Sequence, residues 1–159
     1  MSEFLAQNSD IILRLVVAVV LGMLIGGERL FMHKEAGMKT HALVAMGSAV
    51  FVLVSEAIMQ KYVNLPGLNP TMIPSEIIVG IGFLGAGSIM LQGSRLLGLT
   101  TAGGLWVTAG IGMAAGFGFL GLAFISTILV LMIFTLLNII EKPIRKISSN
   151  MEKENSTQN

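Results

Sequence analysis

The chain contains no cysteine, only four prolines, one tryptophan and one tyrosine, and 12% of its 159 residues are charged. Each shortage excludes something. Without cysteine there are no disulfides, no thiol nucleophile and no thiolate metal site, although the redox compartment stays unread. The charged fraction is about half that of an ordinary soluble domain, too little to cover a water-facing globule. A net charge of +1 offers no general footing for nucleic acid, and none is expected as a partner. There is no Gly-x-Ser-x-Gly elbow, no P-loop and no His-Glu-x-x-His, so no catalytic residue is assigned and the chain is not read as an enzyme.

What is present is hydrophobicity, with 53% apolar residues and a mean hydropathy of +0.81. Five apolar segments can be drawn, at 11–27, 42–59, 75–91, 100–116 and about 119–140. Each is near the ~20 residues that carry a helix across ~30 Å of hydrocarbon. Residues 100–140 hold no charge, yet one helix of that length would reach about 60 Å. The chain must therefore turn, and Gly116-Phe117-Gly118 with Gly121 supply the break. The expected fold is an all-α integral membrane protein, a bundle of about five transmembrane helices spanning residues 1–140. The first segment lacks a basic flank and a small-residue cleavage site, so it reads as a retained helix in the lipid bilayer. Residues 141–159 read as a short polar cytoplasmic tail, an amphipathic continuation that frays at its end. Its Lys142, Arg145 and Lys146 read as topology determinants beside lipid headgroups.

Five spans put the termini on opposite sides. With the C-terminus inside, eight basic residues face inward: Arg29, Lys34, Lys39, Arg95, Lys142, Arg145, Lys146 and Lys153. Only Lys61 faces outward, with Glu3 and Asp10, while Arg14 snorkels from the outer end of the first span. This bias predicts N-terminus out and C-terminus in.

The most distinctive run is 80–87, Gly-Ile-Gly-Phe-Leu-Gly-Ala-Gly. Small residues let membrane helices approach closely. Gly80, Gly82, Gly85 and Gly87, with Gly22-x-x-x-Gly26 and Gly112-x-x-x-Gly116, are read as helix-packing positions, within one chain or across a homodimer. The 80–87 run is expected at the centre of the molecule.

Ionisable groups near a bilayer are functional candidates by default. Glu28-Arg29 closes the first span and Lys39-Thr40-His41 opens the second, joined by a short loop, so the two clusters must be neighbours. They are candidates for an ion-binding or gating site, and the plain alternative is a charge cluster that anchors helix ends. Glu76 opens the third span, on one helical face with Gly80 and Gly87. Mg²⁺ takes oxygen ligands, one or two of them carboxylates, which makes Glu28 and Glu76 the candidate metal ligands. Glu56, near the outer end of the second span, could add a ligand on the same side as Glu76, but reads more simply as facing outer water or headgroups. Thr100 and Thr101 either cap the fourth span or add oxygen ligands. His33 and His41 match no zinc spacing and read as structural. The methionines read as gap-fillers, and Trp106, mid-span, is expected to pack inside the bundle.

Ordered motifs carry a resemblance: Gly22-x-x-Ile-Gly-x-Glu-Arg29, Ala36-Gly-Met-Lys-Thr-His41, the run 80–87, and Gly98-Leu-Thr-Thr-Ala102 followed by Leu105-Trp106. The chain resembles the MgtC/SapB family of bacterial inner-membrane proteins over about residues 21–118. The resemblance implies a cell (inner) membrane protein of magnesium and ion homeostasis, from a virulence-related family. It offers two pictures: a cation bound or conducted in the bundle, or docking on another membrane complex such as an ion-motive ATPase. Many family members add a C-terminal ACT-like domain, which is not expected in residues 141–159. There are departures. The family's Asp-Pro, arginine and glutamine read Asn69-Pro70, Met72 and Glu76 here, and its Ala-Ser before Leu-Trp reads Gly103-Gly104. The outer side is therefore altered, and the inner cluster of Glu28, Arg29, Lys39, Thr40, Thr100 and Thr101 matches best.

Overall fold

The computed structural model describes residues 6–62, 69 and 71–157, with residues 141–157 as backbone only. Glu3, Pro70 and the side chains of Lys142, Arg145, Lys146 and Lys153 lie outside the described residues. In order come α1 (Ser9–Phe31), α2 (Met38–Lys61), α3 (Met72–Gly87), β1 (Met90–Gln92), β2 (Arg95–Leu97), α4 (Leu99–Gly116) and α5 (Leu120–Thr157).

Successive helices reverse direction. Gly26 of α1 meets Gly37 and Met38, while Gly22 meets His41, Ala42 and Ala45, so α1 and α2 are antiparallel. Gly112 and Gly116 of α4 meet Ala45 and then Ala49 and Val52, so α4 runs with α2. Gly85, late in α3, lies on Ala102, early in α4. The bundle thus has a basic end, holding the residues around Arg29, Lys34, Lys39 and Arg95, and an opposite end, holding Asp10, Arg14, Glu56 and Glu76.

The packing is built on absent side chains. A Cβ on Gly22 would stand 2.6 Å from the His41 carbonyl oxygen, and one on Gly26 2.6 Å from that of Gly37. A Cβ on Gly112 would stand 2.2 Å from the Ala45 oxygen. Buried alanines 18, 45, 49, 114, 115 and 123 continue the same surface around Leu21, Ile25 and Ile111. In lipid, where tails are as apolar as leucine, such close contact is the attraction that holds helices together. Helix α4 carries the most buried residues and lies between α2, α3 and α5. Its Thr108 hydroxyl, and that of Thr127 in α5, donate to carbonyls four residues back, which satisfies them inside an apolar core.

Several expectations are corrected. The run 80–87 is not the centre of the molecule. Among the described residues only Gly85 packs, with a Cβ position 3.5 Å from Ala102, while a Cβ on Gly80, Gly82 or Gly87 would meet nothing within 4 Å. The centre is the α1–α2–α4 contact, where the glycines lie on facing helix surfaces. The third span ends at Gly87, not 91, because residues 90–97 form an antiparallel hairpin pairing Met90 with Leu97 and Gln92 with Arg95. Gly93-Ser94 turns it, with Gly93 at φ +62°, a value suited to a two-residue turn with glycine first. Trp106 does not pack inside the bundle. It is 56% exposed on the outer face of α4. Thr100 and Thr101 do not cap α4 either. The N-cap is Gly98 at φ +87°, there is no side-chain cap bond, and a Cβ on Gly98 would collide with the Ser88 carbonyl. The α4–α5 turn falls at the expected break, with Gly118 at φ +77°.

Candidate functional site

Glu28 and Arg29 end α1 at the basic end. Helical phase turns Arg29 into the bundle, where it is 1% exposed. Its Nε donates to Glu28 Oε2 at 2.5 Å, and the Glu28 side chain is itself only 11% exposed. The guanidinium also stacks on Phe134 of α5, with Cζ 3.6 Å from the ring centroid. Asn138, one helical turn further along α5, donates to the other Glu28 oxygen at 3.4 Å. Arg29 is therefore held between a carboxylate and an aromatic face, each able to stabilise the cation away from water.

His41 of α2 closes the cluster. It is fully buried, and its Nδ1 lies 3.1 Å from the Gly37 carbonyl oxygen. Its Nε2 is buried without a hydrogen-bond partner. Gly104 of α4 makes the room. A Cβ there would stand 3.3 Å from Phe134 and 3.5 Å from His41 Nε2.

The predicted inner cluster is thus only partly gathered. Glu28 and Arg29 pair, Thr101 is buried and Thr100 exposed, while Lys39 and Thr40 are exposed and line a groove between α2 and α3. That groove has a volume of about 640 Å³. Glu76 and Gly80 line its far part, as their shared helical face predicts, so Glu76 and Glu28 belong to opposite ends of the bundle. Among the described residues no three His, Asp or Glu side chains gather in a way that could hold a metal ion.

Sequence reasoning missed a second cluster. Arg14 does more than snorkel. It pairs with Asp10 at 2.7 Å and Glu56 at 2.9 Å, and donates to the Gly116 carbonyl at 3.0 Å. One cation ties α1 and α2 to the C-terminus of α4, where the helix dipole favours positive charge. The i, i+4 spacing of Asp10 and Arg14 was readable, but the partners 42 and 102 residues away were not. Asn69 was noted only as a departure. Its Oδ1 accepts from the backbone N–H and hydroxyl of Thr71, which builds the turn that starts α3. Aspartate could do the same, so this substitution keeps the turn.

A helical bundle with charge buried at its ends and lipid-like residues around its outside defines an α-helical membrane protein. Ser9–Phe31, Met38–Lys61 and Leu120–Ile140 are each long and apolar enough to cross a bilayer. The model of the MgtC family matches residues 15–143, and the chain belongs to that family. It is 38% identical over 129 residues to "Putative magnesium transporter YhiD" of Escherichia coli (strain K12), covering 80% of this chain and 60% of that protein. It is 43% identical over 143 residues to Protein MgtC of Salmonella paratyphi A, covering 90% and 59%. Identity reaches 47% over 120 residues with Protein MgtC of Salmonella typhimurium (strain 14028s / SGSC 2262), covering 76% and 49%. The chain thus spans about half to three-fifths of the length of these relatives. No solved structure matches it.

Proposed function

We propose that the chain is a multi-pass domain of the bacterial inner membrane that serves magnesium homeostasis, with the Glu28–Arg29 pair as a gate or binding point for a cation. The carrying observation is the buried pair itself. Ionisable side chains inside a membrane bundle are costly and mark ion pathways by default. Arg29 rests on the Glu28 carboxylate and the Phe134 face together. A cation approaching Glu28 can take the carboxylate from Arg29 while the guanidinium keeps its place on the ring. The name of the Escherichia coli relative supports magnesium as the cargo. The alternating helices and the basic bias support five crossings with the N-terminus outside. Because the chain has no cysteine, one cysteine placed at Lys34 should react only from the cytoplasmic side, and labelling from outside would reverse the orientation.

Magnesium flux into liposomes under an inside-negative potential tests the gate. Saturable flux is expected, with at least a ten-fold loss in Glu28→Gln, which keeps an acceptor for Arg29, compared at equal amounts of folded, inserted protein. Absence of flux in folded, correctly inserted protein would sink this reading.

A second reading has its own observation. Among the described residues a Cβ on Gly82, Gly87 or Gly103 would meet nothing within 4 Å, so these glycines can offer bare backbone to a neighbouring membrane helix. Under this reading the protein docks on and regulates another membrane complex. Gly82→Leu would then abolish the complex while leaving the isolated chain inserted, and an unchanged complex would reject that surface. Gly85 is unsuitable for this test, because it packs on Ala102.

A further inference from the structure

We propose that the groove between α2 and α3 binds one acyl chain of an anionic phospholipid, with the lipid phosphate held at Lys39 and Thr40. Helix α3 packs mainly on α4 and little on α2, which leaves the groove. Its walls are Leu43, Phe51, Ile73, Ile77 and Leu84, and its floor is deepened by Gly47 and Gly80, where an added Cβ would meet nothing within 4 Å among the described residues. Leu43, Phe51 and Leu84 are more than half exposed, so the groove opens sideways. At membrane depth an apolar slot of this kind is filled by hydrocarbon and not by water. From Lys39 to Phe51 the helix runs about 18 Å, close to the depth of one leaflet, half of the ~30 Å hydrocarbon core.

The ends choose the headgroup. Lys39 makes no ion pair among the described residues and stands exposed in the first turn of α2, beside the exposed Thr40. An ammonium and a hydroxyl at one mouth suit a phosphate. They lie at the basic end with Arg29, Lys34 and Arg95, where an anionic leaflet is attracted. Glu76, at the far end, disfavours an anionic headgroup from the other leaflet. The groove therefore takes its lipid from one side.

Charge also argues against protein occupants. In a two-fold dimer of like-oriented copies, Lys39 would face Lys39 and Glu76 would face Glu76. A foreign helix would need an acid at one end and a base at the other, whereas a single anionic lipid satisfies Lys39 with its headgroup alone.

Native mass spectrometry of the whole detergent-purified chain, titrated with phosphatidylglycerol or phosphatidylethanolamine of matched acyl length, tests this. One phosphatidylglycerol should be retained in preference to phosphatidylethanolamine. Lys39→Gln should weaken phosphatidylglycerol about five-fold, the effect of one lysine near an anionic headgroup, and leave phosphatidylethanolamine unchanged. Lys34→Gln should change neither. Gly80→Phe should displace both lipids by filling the groove, and Gly47→Phe serves if that variant does not fold. Equal retention of the two lipids would overturn the proposal. So would equal losses in Lys39→Gln and Lys34→Gln, which would report a general surface charge. A dimer abolished by Gly80→Phe would assign the groove to a second copy and overturn it too.

Discussion

Gly112→Val is expected to unfold the bundle, with a loss of about 3 kcal/mol or more, at the upper end of what overpacking costs. A Cβ at this position would lie 2.2 Å from the Ala45 carbonyl oxygen and 2.7 Å from the Ala45 Cα. Both are backbone atoms, so no rotamer change relieves the clash. The helices must part, and parting them strips contact from Ala49, Ala115 and Ile111 together. Close packing is the main attraction between these helices, so no hydrophobic gain in lipid offsets the separation. Gly110→Val is the control. It lies two residues earlier on the same helix, where a Cβ meets nothing within 4 Å. Equilibrium unfolding in mixed micelles should show the first variant strongly destabilised and the second near wild type. Equal stabilities would refute the α2–α4 contact.

Arg29→Met is expected to cost about 3–5 kcal/mol, the range for breaking a buried ion pair from one side. Methionine fills much of the space over Phe134, so the loss comes mainly from the Glu28 carboxylate, only 11% exposed and stripped of its cation. Asn138, at 3.4 Å, gives it one weak hydrogen bond. The double variant Glu28→Leu with Arg29→Met should recover most of that loss, because two apolar groups replace a pair that had to be desolvated. Arg29→Lys should not match wild type, since an ammonium lacks the planar face that stacks on the ring. A double variant as unstable as Arg29→Met alone would mean that the site is held by packing and not by the charge pair. The same double variant would also separate fold from function. A stable bundle that carries no cation is what the gate reading requires of it.

The segments were legible because a membrane helix must be long and apolar, and that property is local. The α4–α5 turn was legible for a similar reason, since no single helix can be so long and Gly118 can take φ +77°. The hairpin at 90–97 was missed, although Gly93-Ser94 marks it, because its apolar strands read as a continuation of the third span. The glycines show the limit most clearly. Gly80, Gly82 and Gly87 look like packing residues by every local criterion, yet among the described residues a Cβ on any of them would meet nothing within 4 Å, while one on Gly112 or Gly116 would meet the backbone of α2. Spacing identifies a flat helix face, but what covers it depends on where the other helices lie.

The candidate site divides along the same line. Composition, charge bias and ordered motifs alone determined the membrane class, the family resemblance and the neighbourhood of Glu28, Arg29 and the start of α2, because a short loop forces those ends together. The tertiary structure alone decided that Arg29 points inward onto Phe134, that Asn138 joins it from α5, and that Lys39 and Thr40 turn away to share a groove with Glu76. It also decided that Arg14 reaches Glu56 and Gly116. The physical reason is that hydropathy and helix phase are properties of neighbouring residues. Which faces meet is set by close packing between segments tens of residues apart, and glycine permits that contact without specifying its partner.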